Sequence, residues 1–217
     1  VNFGGLLRYG IPDFKLKKSV IERRLDVLSS SGITFEGGVQ IGVDISAEYL
    51  RRKFDALCIC AGPQVPRPLA PNVEGRGARG VFFALEFLAS QNRVISGEAS
   101  ELAISAKDKN VLVIGGGDTG SDCVGTAIRQ GAKSVAQVEI MPEPPAQRHS
   151  STPWPMWPYK LRTSSSHLEG CTRLWGVNVK SIEIRGGFAK SATFAKCDWT
   201  FDETGRPRSF VERPDEN

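Results

Sequence analysis

Residues 110–130 read NVLVIGGGDTGSDCVGTAIRQ, and the rest of the chain is organised around them. Four consecutive apolar residues, Val111 to Ile114, have the length and composition of a buried parallel strand. They run into Gly115-Gly116-Gly117-Asp118-Thr119-Gly120, and Val124, Ala127 and Ile128 follow at helical spacing. Gly115, Gly117 and Gly120 hold the three glycine positions of the G-x-G-x-x-G fingerprint, here in its strand-to-helix setting. The first glycine permits the tight turn, the second lets backbone approach a pyrophosphate, and the third lets the helix pack close to the strand. The start of the helix offers unpaired N–H groups and the positive end of its dipole. Asp118 is expected to present its backbone N–H rather than its carboxylate, with capping of the helix as its side chain's role. Thr119 is read either as a ligand or as part of the same cap.

Working outward, Gly131 is placed to end this helix, and residues 134–140 read as the next parallel strand. Pro142, Pro144 and Pro145 stop it, and the run Pro153-Trp154-Pro155-Met156-Trp157-Pro158 implies a fixed, aromatic-walled loop. Residues 177–185, 188–199 and 209–212 have strand composition with turns at Gly186-Gly187 and Thr204-Gly205-Arg206-Pro207, an antiparallel meander. The alternation slips near Ser181, which predicts a bulge.

Upstream, residues 4–12 read as an ordered loop and residues 15–31 as a helix. Leu16, Val20, Leu25 and Leu28 are expected on its inner side, with Lys17, Lys18, Arg23 and Asp26 outside. Residues 33–35 and 39–41 are strand candidates, and Ser46 is placed to cap a helix over residues 47–53. Residues 55–62 read as a buried strand ending at a glycine turn, with Cys58 and Cys60 as packing residues. Four prolines make residues 63–80 the best linker, and a helix over residues 83–90 follows. The fold class expected is therefore α/β: a Rossmann-like domain with a parallel sheet, a C-terminal meander, and a partial α/β segment before it.

Composition narrows the function. Lys and Arg number 28 against 24 Asp and Glu, a balance too slight and too scattered for nucleic acid. The Arg51-Arg52-Lys53 cluster suits a helix C-terminus. Five cysteines form no C-x-x-C pair or metal-ligand spacing, which fits a reducing compartment. No run reaches the roughly 18 apolar residues of a membrane helix, and no signal peptide is recognisable, so a cytoplasmic location is expected. The opening on Val1 without Met points to a fragment. His149 and His167 are the only histidines, and with no nucleophile or carboxylate constellation beside them both are read as packing or solvated residues.

Several blocks together resemble the small subunit of glutamate synthase: GGLLRYGIPDFKL (residues 4–16), VIGGGDTGSDCVGTAIRQGAKSV (113–135), EIMPEPPAQR (139–148), PWPMWP and LRTSSSHLEG (161–170). GGGDTG alone is shared with the flavin half of dihydropyrimidine dehydrogenase and with ferredoxin–NADP-type reductases, whose modules are the alternative, as is a non-catalytic Rossmann-like scaffold. The resemblance implies that residues 1–72 are part of an FAD domain and residues 73–217 the NAD(P)H domain. It implies hydride transfer from NADPH to FAD, and electrons passed through iron–sulfur clusters to the large, glutamate-forming subunit. It also implies that FAD and clusters belong to the full-length protein only. The chain alone is therefore expected to be colourless and to leave NADPH unoxidised by an artificial acceptor; stoichiometric flavin absorbance would overturn this. One departure from the family pattern is Ala61-Gly62-Pro63, which lacks the usual Thr at this turn.

Between the two nicotinamide cofactors the sequence pulls both ways. Glu139 lies about two dozen residues after Gly115, where an acid binds a ribose 2′-hydroxyl and favours NADH. Arg148 closes the EIMPEPPAQR block and has the planar fork that suits a 2′-phosphate. The resemblance to bacterial-type small subunits tips the expectation to NADPH, provided that Glu139 turns away or Arg148 neutralises it.

Overall fold

Strand, glycine turn and helix form where the fingerprint places them. The computed structural model describes residues 2–63 and 65–213; Val1, Gln64 in the expected linker and residues 214–217 at the end of the expected second domain lie outside them. In chain order the elements are α1 (Gly5–Tyr9), α2 (Lys18–Ser30), α3 (Ala47–Lys53), α4 (Ala84–Ile95), β1 (Asn110–Ile114) and α5 (Asp118–Arg129). Then come β2 (Ser134–Glu139), α6 (Ser165–Leu168), β3 (Thr172–Trp175), β4 (Val177–Arg185), β5 (Phe188–Phe201) and β6 (Pro207–Glu212).

A parallel sheet in the order β1-β2-β3 carries the glycine turn, with Val111 opposite Val135 and Val113 opposite Gln137. Successive residues of a strand face opposite sides, and the two sides are covered differently. On one, Val113 and Val135 pack with Leu88 of α4 and with Cys123, Val124 and Ala127 of α5. On the other, Val138 packs with Val179 and Ile182 of β4 and with Val73. Burying a side chain such as Leu88 or Val124 contributes about 1.5–3 kcal/mol each. Leu112 and Ile114 of β1 lie beyond this second cover and stay exposed, so the expected all-buried strand is buried on one face only. Gly131, at φ +83°, turns the chain from α5 into β2 in a conformation that L side chains rarely adopt.

The meander β4-β5-β6 is antiparallel as expected, and its register shifts between Val179 and Ser181, where the alternation slips. Residues 73–79 run beside it: Ile182 N–H donates to the Glu74 carbonyl at 2.8 Å, and Arg79 stacks over Phe188 at 4.2 Å.

Residues 2–62 depart most from expectation. Residues 5–9 form α1 instead of a loop, closed by backbone N–H groups of Gly10 and Ile11 on the Leu6 carbonyl. α2 buries Ile21 rather than Val20, because α1 and Gly4 lie on that side. Lys18 is buried instead of solvated: its Nζ donates to the Leu7 and Ile11 carbonyls at the C-terminal end of α1, where a cation suits the dipole. α3 forms as read, with Ser46 Oγ accepting from Tyr49 N–H at 3.1 Å. The strands expected at 33–35, 39–41 and 55–62 do not form; apart from a single Ile41–Ile45 bridge these residues are irregular. Ile59 is 89% exposed, and Cys58 and Cys60 are exposed with sulfurs 3.5 Å apart, so neither thiol packs. A strand gains its stability from ladder partners and a covered face, and among the described residues no strand lies beside this one.

Candidate dinucleotide site

β1 hands the chain to the glycine turn through one last ladder bond, Gly115 N–H to the Val138 carbonyl at 2.8 Å. Gly115 then takes φ +115°, open to glycine and strained for other residues. Gly117 is the N-cap of α5 in extended conformation, and a Cβ added to it would meet nothing within 4 Å. Gly120 is the reverse case: a Cβ there would lie 2.3 Å from the Gly115 carbonyl oxygen and 2.6 Å from Gln137 Nε2. The three glycines thus make a turn, an open approach and a close helix–strand packing.

Ser121 N–H makes the first intrahelical bond, to the Gly117 carbonyl at 3.0 Å. The N–H groups of Asp118, Thr119 and Gly120 precede it and have no carbonyl of the helix to bond. Asp118 does not cap α5, because Gly117 already holds the cap position without a side-chain acceptor. Its exposed carboxylate sits instead in the first turn, worth about 0.3–1 kcal/mol toward the helix dipole. Thr119 is exposed beside it.

Glu139, at the end of β2, turns onto the glycine turn. Its carboxylate accepts from Gly116 N–H at 2.5 Å and from Met141 N–H at 3.0 Å. Arg148 is exposed, and its Nη1 donates to the Thr152 carbonyl at 3.1 Å within its own loop. The six turn residues and Glu139 are therefore brought together, whereas no hydrogen bond or ion pair among the described residues joins Arg148 to them.

Beyond Glu139 lies a cleft of about 330 Å³ lined by Pro142, Glu143, Pro145, His149, Tyr159, Phe201 and Gly205. The meander forms its far wall, pinned by Trp199 Nε1 donating to the Ile140 carbonyl at 2.7 Å and Gly176 N–H to the Met141 carbonyl at 2.9 Å. His149 packs edge-on to Tyr159 and shares a 2.8 Å bond between Nδ1 and Ser151 Oγ, a packing role. The proline- and tryptophan-rich run is irregular, but Trp154 and Trp157 are 85% and 76% exposed, so the expected aromatic wall faces outward. Proline rings preclude helix there, and what the indoles meet is left to other contacts: Arg162 stacks on Trp157 at 4.0 Å.

Sequence reasoning missed a buried polar chain beneath the turn. Gln137 Nε2 donates to the Gly115 carbonyl at 2.8 Å, and Gln137 Oε1 lies 2.8 Å from His167 Nε2. His167 Nδ1 meets Ser164 N–H at 3.2 Å, and Ser164 Oγ bonds Ser121 Oγ of α5 at 2.6 Å. Burial first, then the charges of Arg173 and Lys15, hold the His167 pKa below its ordinary value. The one local signal was a glutamine inside the otherwise apolar run of β2. Cys123 stands apart as a core thiol, its pKa pushed up to about 12 by burial. Among the described residues no cluster of His, Cys, Asp or Glu could hold a metal ion, and no helix is long and apolar enough to cross a membrane.

Known proteins resemble this chain in fold and in sequence. The fold matches FprA of Mycobacterium tuberculosis with a TM-score of 0.68 at 14% identity, over 97% of this chain and 58% of that one. In sequence the chain is 50% identical over 184 residues to the NADPH glutamate synthase small chain of M. tuberculosis, 82% of this chain and 37% of that protein. To the corresponding small chain of Bacillus subtilis it is 46% identical over 168 residues, 76% of this chain and 34% of that protein. The chain thus spans little more than a third of the length of these curated relatives. The family model for pyridine nucleotide-disulphide oxidoreductases matches residues 16–153, well over half of the chain. The chain belongs to the pyridine nucleotide-disulphide oxidoreductase family and is a homologue of the glutamate synthase small chain.

Proposed function

We propose that this chain is the NADPH-binding part of a glutamate synthase small subunit, with the pyrophosphate seated at the N-terminus of α5. The observation that carries the reading is the open approach at Gly117 in front of the unpaired first-turn N–H groups. The residues fit an anion: room for it, donors toward it, and a helix dipole of the right sign. Gly115, Gly116, Gly117 and Gly120 shape the turn, and Asp118 and Thr119 contribute backbone N–H groups. The bound nicotinamide supplies the hydride, and the protein supplies position and electrostatics. In this proposal FAD and iron–sulfur clusters are held by the longer protein, residues 1–72 contributing to its flavin domain and residues 73–217 forming the nucleotide domain. The large subunit is the proposed electron acceptor and glutamate-forming partner. The cytoplasm is the proposed location, which suits five free thiols. Titration of the chain with NADPH tests the core of the reading, and an absence of binding would overturn it.

The proposed preference for NADPH over NADH rests on the likeness to the NADPH small chains, and it requires Arg148 to leave its own loop and offset Glu139, which faces the glycine turn. A phosphate 4 Å from a carboxylate is disfavoured by about 4 kcal/mol at an effective dielectric near 20. Gly116 N–H draws the Glu139 carboxylate to the turn while Met141 N–H, just after β2, holds its other oxygen, and Arg148 precedes His149, which lines the cleft beyond. Arg148 keeps donors beyond the one given to Thr152. Arg148→Ala is therefore expected to weaken NADPH binding by about tenfold, roughly one charge-assisted contact, and to leave NADH unchanged. Equal losses for both, or tighter binding of NADH by the native chain, would reverse the assignment to NADH.

A further inference from the structure

The Gly115–Gly116 peptide is gripped at both ends by one face of β2. Gln137 Nε2 holds its carbonyl and Glu139 Oε2 holds its N–H. The two side chains are two residues apart on the strand and so project from the same side. Neither can grip unless it is itself held. Glu139 is held by Met141 N–H, and Gln137 by His167.

The hydrogen-bond roles in this chain follow from its two ends. A carbonyl only accepts, so the Gln137 amide nitrogen faces Gly115 and its oxygen faces His167, whose Nε2 must carry a proton. At the other ring nitrogen a backbone N–H only donates, so Nδ1 beside Ser164 N–H is unprotonated. Both ends select the neutral Nε2–H tautomer.

We propose that Gln137 and His167 are positioning residues of the dinucleotide site: neutral His167 orients Gln137, which sets the Gly115–Gly116 peptide and so aims the N–H groups that follow it. This rests on the dinucleotide reading above. A proton added at Nδ1 sets it against Ser164 N–H and turns Ser164 Oγ, 3.1 Å away, into its acceptor, which reorders the 2.6 Å bond of that hydroxyl to Ser121 Oγ and loosens the chain of bonds. The charged groups around the ring also oppose protonation: Arg173 on β3 and Lys15 ahead of α2 are cationic. Asp122 on α5 interacts with Lys15 and has its own carboxyl pKa raised by burial, and Cys171 after α6 has its thiol pKa raised by burial. With the folded pKa lowered, the stability from neutral His167 is fully present above the unfolded value of about 6.5. It is lost as the pH falls from there toward the folded value.

The test is calorimetric titration of the 217-residue chain with ADP-ribose, which lacks the 2′-phosphate that itself titrates near about pH 6. Affinity is expected to fall about fivefold or more as the pH passes from about 8 down through the lowered His167 value. His167→Gln keeps a donor that does not titrate, so it is expected to bind near native strength at the upper pH with a flat profile. Gln137→Leu, which releases the Gly115 carbonyl, is expected to bind about tenfold more weakly at every pH. Nitrogen-15 NMR of the imidazole reports the tautomer independently of ligand. An Nδ1–H tautomer, affinity that rises on acidification as a purely electrostatic histidine would give, or the native profile retained in His167→Gln would overturn the proposal and leave the dinucleotide reading standing. Failure of the native chain to bind ADP-ribose at the upper pH would remove that reading, and this proposal with it.

Discussion

Gly120→Ala is expected to destabilise the chain by about 3 kcal/mol or more, beyond the ordinary cost of a surface substitution. The added methyl would lie 2.3 Å from the Gly115 carbonyl oxygen, and a main-chain atom cannot swing aside as the end of a flexible side chain can. Its second neighbour, Gln137 Nε2 at 2.6 Å, is bonded to that same carbonyl, so the clash breaks the grip on the turn as well. α5 must move off the sheet, and it carries Cys123, Val124 and Ala127 of the core. In a chain of this size the loss corresponds to a fall of about 6–12 °C in Tm. Differential scanning calorimetry checks it, and a Tm within a degree or so of native would mean that Gly120 is not the close-packing glycine.

Gly117→Val should show the complementary behaviour: fold intact, nucleotide affinity lost by about 100-fold, or about 2.7 kcal/mol. Its backbone, at φ −73° and ψ −179°, is extended and accepts a β-branched residue without strain. A Cβ here meets no protein atom within 4 Å, so Tm should fall only by the cost of a valine at the N-cap of α5, about 1 kcal/mol or roughly 2–4 °C. The same open space is where the phosphates must approach, and the branched side chain fills it. Binding measured by quenching of intrinsic tryptophan fluorescence or by calorimetry separates the outcomes. Unchanged affinity in Gly117→Val would move the pyrophosphate elsewhere, whatever Gly120→Ala does to stability. The pair therefore separates two roles that one motif combines.

The parts of the fold legible in the sequence are those encoded by neighbours along the chain. β1, the glycine turn and α5 follow from an apolar run, a fixed glycine spacing and a helical period, all within residues 110–130. Ser46 as the cap of α3, the meander with its turns, and the slip between Val179 and Ser181 are likewise local signals. Local pattern failed where an element needs a partner. Residues 55–62 have strand composition yet stay irregular, because composition supplies neither a ladder nor a cover. β3, four residues with an arginine among them, becomes a strand because β2 offers it an edge. Lys18 goes inside because two carbonyls of a neighbouring segment receive it.

The site divides in the same way. Spacing alone located the glycines and placed Glu139 at the end of β2. Only the tertiary structure decided that Glu139 folds onto Gly116, that Arg148 bonds within its own loop, and that His167 reaches Gln137 across 30 positions of sequence. The physical reason is the range of the interaction. Periodicity, capping and turn chemistry act over a few residues and leave a record in the sequence at that distance. A buried hydrogen bond is defined by two polar groups that meet only after the chain has folded, and each must find its partner because burial without one is costly.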